Sequence, residues 1–348
     1  MAEARYTDEQ LMAALDEGLS LRECARRFGV GNTGVRDRYH RIKAREANPP
    51  EAPQSVVRPV VQRPRLSEVI ELDPQPFAVP IPRPARSNHG HDTKCWSALV
   101  FTDTHVPYHD QAALDVVYGL IRDVRPKVIV HLGDLLDAYP ISRYTKDRHH
   151  LLNTQDEIDG AKVILHHVAQ LAPEAEKWYL EGNHEARLDE LLNTLPGTAK
   201  ELLTLRDIRA AATWPQLCRL DEIGWTFVPA KGQAHHKILP RLITKHGNVV
   251  RKHSGMSGKG EWERYGKSGL SGHVHRVGQF YTSDANGNHV WTECGCTCQL
   301  KPSYMEDPNW AHAVVLVHFT PDGSRFSVEP VYIEQGRALF GRTEYRAA

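Results

Sequence analysis

The sequence predicts an α/β protein that carries a small all-α unit at its N-terminal end. Three observations predict it. From Cys95 onward, short apolar runs alternate with helical patterns, as in buried strands with helices between them. Residues 1–46 are polar, with apolar residues recurring every three or four positions. Residues 47–92, between the two, hold ten of the chain's 22 prolines, which remove amide donors and fix φ.

The chain's 348 residues are 41% hydrophobic and 25% charged, enough for one large core and one small module. Lys and Arg number 43, as do Asp and Glu, so the formal net charge is zero. That excludes a uniformly basic coat for nucleic acid and leaves room for a local basic patch. Mean hydropathy is −0.49. No apolar run approaches the ~20 residues that span a bilayer, so no membrane partner is expected. The first residues hold no apolar signal core, and six cysteines in this length make no disulfide scaffold. A reducing, cytoplasmic setting is expected. Twenty histidines point to metal or phosphate chemistry.

Residues 1–46 predict three short helices. The first covers about residues 7–17, with Leu11, Ala14 and Leu15 on one stripe. The second covers about residues 21–28, with Leu21, Ala25 and Phe28 inward, and Gly29 and Gly31 mark the turn after it. The third covers about residues 33–45 and buries Val35, Tyr39 and Ile42. Residues 22–46 carry eight Arg or Lys against three acids. This unit resembles the helix-turn-helix domains of transposases, resolvases and phage DNA-packaging proteins. The resemblance implies that the third helix enters a major groove of DNA, with Asn32, Thr33, Arg36 and His40 near bases or phosphates. The plainer alternative is a trihelical interaction or oligomerisation module with a solvated basic face. Residues 47–92 read as a semi-extended linker.

Residues 93–348 form the large domain, and five blocks in it share one layout. Each is a short apolar run followed by acids, histidines or amides. Ser97–Phe101 precedes Asp103 and His105. Lys127–Leu132 precedes Asp134 and Asp137. Lys177–Leu180 precedes Asn183, His184 and Glu185. Arg241–Lys245 precedes His246, and Leu270 precedes His273 and His275. Strands of a sheet offer functional groups from the loops at their C-terminal ends, so the five blocks can converge on one crevice. Asp103, His105, Asp134, Asn183, His246, His273 and His275 are all oxygen or nitrogen donors. Seven are too many for one ion with open positions and suit two ions that share a carboxylate. The mixture favours Mn²⁺, with Fe or Zn²⁺ as alternatives, over Mg²⁺ or Ca²⁺.

The blocks match, in order, the D-x-H, G-D-x-x-D, G-N-H-E, H and G-H-x-H signatures of the calcineurin-like metallophosphoesterase superfamily, which residues 95–335 resemble. Segments 103–110, 133–144 and 253–266 look most like members encoded by phages and prophages, which would put the protein in a bacterial host's cytoplasm. The resemblance implies a four-layer α/β/β/α sandwich of two mixed sheets with two metals at one sheet edge. It further implies that Asp103, His105 and His275 hold the first metal, that Asn183, His246 and His273 hold the second, and that Asp134 bridges them. His184 would face the leaving oxygen as general acid, and Asp137 would hold the His184 ring by hydrogen bond. Every position of the pattern is filled, which implies an active site and two-metal phosphoester hydrolysis.

One departure bears on substrate. The Ser/Thr protein phosphatases of this superfamily carry Arg-Gly after the second aspartate block, where this chain has Ala138 and Tyr139. Arg143 or Arg187 is expected to reach the phosphate instead, and His253 is expected in a surface loop, with substrate contact as the alternative. The expectation is a nuclease or phosphodiesterase tethered to DNA. The alternatives are a phosphomonoesterase or a phosphodiesterase of cyclic nucleotides and other small molecules, then a protein phosphatase. A non-enzymatic DNA-binding regulator comes last. Cys294, Cys296 and Cys298 are expected in the core or in a loop near the site. The segments 313–320 and 325–333 are expected to form a hairpin.

Overall fold

Thr7 and Ser20 each close a capping box, with Gln10 and Glu23, and thereby start α1 (Asp8–Asp16) and α2 (Leu21–Phe28). The computed structural model describes residues 6–47, 95–146, 152–230, 237–302 and 307–347, so the predicted linker, Ala47 apart, lies outside the described residues. The chain divides into two compact units. In the smaller one, Gly29 takes φ 65° and ends α2, and α3 (Asn32–Ala47) follows. Leu11, Ala14, Cys24, Ala25, Val35 and Ile42 form its core. Asn32, Thr33, Arg36 and His40 are exposed, three of them at the 33, 36, 40 spacing of a single helix face.

The large unit runs β1 (Trp96–Phe101), α4 (Gln111–Val124), β2 (Val128–His131), α5 (Thr154–Leu171), β3 (Glu176–Leu180) and α6 (Ala186–Thr194). Three short helices follow, α7 (Gly197–Lys200), α8 (Arg206–Ala211) and α9 (Trp214–Leu217). Then come β4 (Thr226–Val228), β5 (Ile243–Lys245), α10 (Met256–Tyr265), β6 (Gly269–Ser271), β7 (Val277–Asp284) and β8 (Gly287–Cys294). The predicted hairpin is β9 (His312–Phe319) with β10 (Phe326–Ile333), and a small ribbon, β11 (Arg337–Phe340) and β12 (Thr343–Arg346), ends the chain.

Two mixed sheets result. The first has order β10-β9-β1-β2-β3-β4, with β1 to β4 parallel and β9 antiparallel to β1. The second has order β5-β6-β8-β7, with β7 antiparallel to β8. Alternate residues of β1 fix the layering, because side chains on a strand alternate faces. Leu99 and Phe101 pack on Leu114, Leu120 and Ile121 of α4 and Leu165 of α5. Ala98 and Val100 point the other way and share a core with Leu270 and Cys294 of the second sheet. On that sheet's outer side α10 lies close, since a Cβ at Gly258 would sit 3.1 Å from the Trp291 ring. The order is helix, sheet, sheet, helix. Phe101 is fully buried, and truncating such a side chain to Ala costs about 3–5 kcal/mol. No helix among the described residues is long and apolar enough to cross a membrane.

Candidate metal centre

All five blocks leave C-terminal strand ends. Asp103, Asp134 and Asn183 follow β1, β2 and β3 of the first sheet, and His246 and His273 follow β5 and β6 of the second. The chain turns sharply there. Asp103 (φ 50°), His105 (49°), Asp134 (53°), His273 (69°) and His275 (56°) all adopt the left-handed region. Each costs an L-residue roughly 1–2 kcal/mol, and such strain clusters where a site is preorganised. The turn lets residues two apart, Asp103 with His105 and His273 with His275, aim at the same crevice. Glycine is required where backbone closes in. A Cβ at Gly182 would collide with Asp134, and one at Gly272 with Thr102 and Asp103.

The structure brings all seven predicted donors together in two groups. In the first, His275 Nε2 lies 3.1 Å from Asp103 Oδ1 and 3.1 Å from His105 Nε2. In the second, His246 Nε2 lies 3.0 Å from Asn183 Oδ1, and His273 joins His246 and Asp134 in a cluster of potential ligands. Asp134 Oδ2 stands between the groups, 3.2 Å from His246 Nε2 and 3.8 Å from His105 Nε2. Ligand atoms about 2.1 Å from one ion lie about 3 Å apart, so these spacings fit a pair of divalent cations.

Hydrogen bonds on the far side of the rings agree. His105 Nδ1 donates to Asp137 Oδ1 at 3.0 Å, and His246 Nδ1 donates to the Leu132 carbonyl at 3.1 Å. Each bond keeps a proton on Nδ1 and turns Nε2 to the crevice, the orientation in which a ring that has shed its Nε2 proton ligates. His275 Nδ1 lies 3.7 Å from Cys298 Sγ. This puts one of the three cysteines behind a predicted ligand, while Cys294 and Cys296 are buried in the core.

Burial opposes every charge here, and the outcome depends on neighbours. For His246, burial is outweighed by the Asp134 carboxylate, and the ring is pushed up to about 9. For His275, burial is outweighed by Asp103, and the ring is pushed up to about 10. Burial would raise Asp103 and Asp134, yet His275 and His246 respectively hold them below the usual carboxylate range. The pocket thus collects carboxylate charge and, without cations, balances it with protons on imidazoles.

His184 sits beside this crevice, its ring centroid 4.5 Å from that of His105. Asp137 stands beside the His184 ring through two of its groups, the carboxylate and the main-chain carbonyl. The Asp137 carboxylate is nearer the His105 ring, 3.0 Å against 3.3 Å to His184 Nδ1. The tighter partner of His184 Nδ1 is the main-chain carbonyl of Asp137, at 2.7 Å. The reason is the turn at Ala138 (φ 48°), which swings that carbonyl toward the ring. Burial lowers the affinity of His184 for a proton, but Asp134 and Asp137 outweigh it and raise it above the usual value.

Arg187 reaches the site, with Nη1 2.6 Å from the Asp137 carbonyl and Nη2 3.0 Å from His184 Nε2. Arg143 is exposed. It and Arg187 each lie 5.9 Å from the centre of the exposed Tyr144 ring. His253 is exposed in the turn before α10. The His166–His167 pair is exposed, whereas residues 149, 150, 235 and 236 lie outside the described residues.

The roles of two carboxylates escaped the sequence reading. Glu185 is fully buried and accepts from the amides of Asp134, Leu135, Leu136 and Gly182 at 2.8–3.1 Å and from the Tyr179 hydroxyl at 2.6 Å. It clamps the loop after β2 to the loop after β3. Glu157 of α5 is also fully buried and accepts from the amides of Ala138 (2.6 Å) and Tyr139 (3.3 Å). The only signal either gave was its place beside a motif or in an apolar helix stripe. His131, buried and braced by the Thr104 hydroxyl at 2.9 Å, is held down to about 3 by its burial and faces no ligand role.

The chain is similar to known proteins. The calcineurin-like phosphoesterase family matches residues 97–277. The Gene 54 protein of Mycobacterium phage D29 is 28% identical over 252 residues, covering 69% of this chain and 94% of that relative. Among solved structures, a metallophosphoesterase from Sphaerobacter thermophilus overlays 69% of this chain and 88% of its own, with a TM-score of 0.35 and 15% identity. The nuclease MPE of Pseudomonas putida overlays 67% and 86%, with a TM-score of 0.30 and 14% identity.

Proposed function

The chain belongs to the calcineurin-like phosphoesterase family and is a metal-dependent phosphoester hydrolase; we propose that it is a dinuclear enzyme acting on nucleic acid and held to DNA by its N-terminal helices. The observation that carries the dinuclear reading is Asp134, whose Oδ2 lies between the donor groups, 3.2 Å from His246 Nε2 and 3.8 Å from His105 Nε2. Asp103, His105 and His275 would hold one cation and Asn183, His246 and His273 the other. Bound there, divalent cations supply a water-derived nucleophile at neutral pH and positive charge for the phosphoryl oxygens. Manganese suits the mixed carboxylate, amide and imidazole set.

The chain's own groups do the rest. The Asp137 carbonyl accepts from His184 Nδ1, and Nε2, which accepts from Arg187 Nη2 here, would take a second proton once that guanidinium turns to an arriving phosphoryl group. From there His184 delivers a proton to the departing oxygen. The Arg187 guanidinium, 3.0 Å from Nε2, is a cation for the phosphoryl group that arrives there. The Asp137 carboxylate keeps His105 in its ligating tautomer.

The nucleic-acid part of the reading is supported by charge. Exposed Arg36 and His40 stand on α3 with Asn32 and Thr33, within a unit whose second half is strongly basic. A linker across residues 47–92 would raise the local concentration of DNA at the active site. The test is a manganese-loaded panel of plasmid, single-stranded DNA, RNA, bis-4-nitrophenyl phosphate and 4-nitrophenyl phosphate. Cleavage of polynucleotide, with salt-sensitive DNA retention lost on removing residues 1–46, is expected. Diester activity without DNA cutting would move the substrate to a small phosphodiester. Retention unchanged by the truncation would remove the tether.

A further inference from the structure

The peptide group that joins Asp137 to Ala138 is gripped at both ends. Its N–H donates to Glu157 Oε2 at 2.6 Å. Its carbonyl accepts from His184 Nδ1 at 2.7 Å and from Arg187 Nη1 at 2.6 Å. Ala138 occupies the left-handed region at φ 48°, a conformation that a residue with a Cβ holds only when its surroundings impose it. Glu157 imposes it. The side chain comes from the first turn of α5, is fully buried, and spends its second oxygen on the next amide, Tyr139, at 3.3 Å. A carboxylate taken out of water to meet two amides of another loop is costly to keep, and here those amides belong to the turn that carries Asp137.

The geometry points to Glu157 as a positioning residue for phosphoester hydrolysis. Through a single peptide group, it aims the Asp137 carbonyl at His184 and Arg187 and so sets the tautomer and ring orientation of the proton donor. A ring that gives up a proton from Nε2 must keep the one on Nδ1, and a carbonyl, which accepts and cannot donate, ensures this. A peptide N–H that donates to a buried side-chain oxygen also makes its own carbonyl a stronger acceptor, whether Glu157, pushed up to about 8 by burial and by Asp137, is charged or neutral. This inference rests on the reading of His184 as proton donor, and the experiment separates the two.

The full chain, loaded with Mn²⁺, is assayed on methyl 4-nitrophenyl phosphate and methyl phenyl phosphate. The first has a leaving group that needs little protonation and the second one that needs much. Glu157→Leu, which removes the acceptor, is expected to lower kcat on methyl phenyl phosphate by about tenfold or more. The loss on methyl 4-nitrophenyl phosphate should stay under about threefold, with KM and metal content unchanged. Glu157→Gln keeps a carbonyl oxygen for Ala138 and should recover most of the loss. If the Leu variant does not fold, Glu157→Asp, whose carboxylate is drawn back by one methylene, takes its place with the same expectation. In the metal-free chain, ¹⁵N imidazole resonances assigned to His184 by their loss in His184→Asn should show protonated Nδ1 in the wild type and Glu157→Gln and shift in Glu157→Leu. Equal losses on both substrates, unmoved His184 resonances, or a Gln variant no better than Leu would overturn the proposal. His184→Asn is the reference. If it shows the leaving-group dependence and Glu157→Leu does not, the Glu157 proposal alone falls. If His184→Asn shows none, or the wild type hydrolyses neither diester, the proton-donor reading falls and takes the proposal with it.

Discussion

The main-chain amide of His273 donates to both carboxylate oxygens of Asp103, at 2.9 and 3.1 Å, and thereby joins the end of β6 to the end of β1. Gly272 permits this approach, since a Cβ there would collide with Asp103 and the Thr102 hydroxyl. Gly272→Ala should therefore destabilise the protein by about 1–3 kcal/mol through overpacking and weaken metal binding. Gly34→Ala, with open space around it in α3, should be neutral or slightly stabilising. Thermal unfolding of both variants checks this, and equal midpoints would contradict the close-approach argument.

Asp134 lies between the donor groups, so its loss should affect both ions. Asp134→Asn is expected to reduce bound metal from two equivalents to one or none, with activity falling about 10²-fold or more. Elemental analysis after gel filtration is the measurement, and retention of two equivalents would contradict the bridging role.

His184 contacts the crevice edge and stands next to the ligands without belonging to either proposed set. Replacing it with Asn should cut turnover on a poor leaving group by about 10²-fold or more while leaving metal content near the wild-type value. Unchanged turnover would remove it from the mechanism.

The pH dependence follows from His246 and His275, pushed up to about 9 and about 10 when no cation is present. Both folded values lie above the ordinary 6.5. The stability these charges lend the metal-free protein is thus fully present below pH ~6.5 and is lost as pH rises through 9 to 10. Each cation must displace those protons, so metal affinity should rise over the same interval. The gap in unfolding temperature between loaded and metal-free protein should widen from pH 6.5 to 10, and adding Mn²⁺ at pH 7.5 should release protons. A gap that stays constant, with no proton release, would show that the two rings are already neutral.

The five donor blocks were legible because each is local. An apolar run ends, the chain turns, and the ligating side chains follow within a few residues, as with Asp103 and His105 after β1. The short apolar run up to Phe101 likewise gave β1, and the Leu11, Val35 and Ile42 spacing gave the N-terminal helices. What escaped were relations that have no local signature. Glu185 serves amides about 50 positions earlier, and Glu157 serves amides 19 and 18 positions earlier. That the main-chain carbonyl of Asp137 is the tighter partner of His184 was not legible, because every residue carries a carbonyl and no residue type announces it. The second role of Asp137, on His105, likewise joins residues 32 positions apart.

Each proposed cation would draw ligands from both sheets: Asp103 and His105 with His275 for one, Asn183 with His246 and His273 for the other. Elsewhere the two sheets meet through apolar side chains such as Val100 and Leu270, which tolerate sliding far better than ligand bonds do. The ions would act as rivets at the open rim of that seam. Sliding one half against the other would strain both coordination spheres at once, so the bonds that run the chemistry would also keep the sandwich in register.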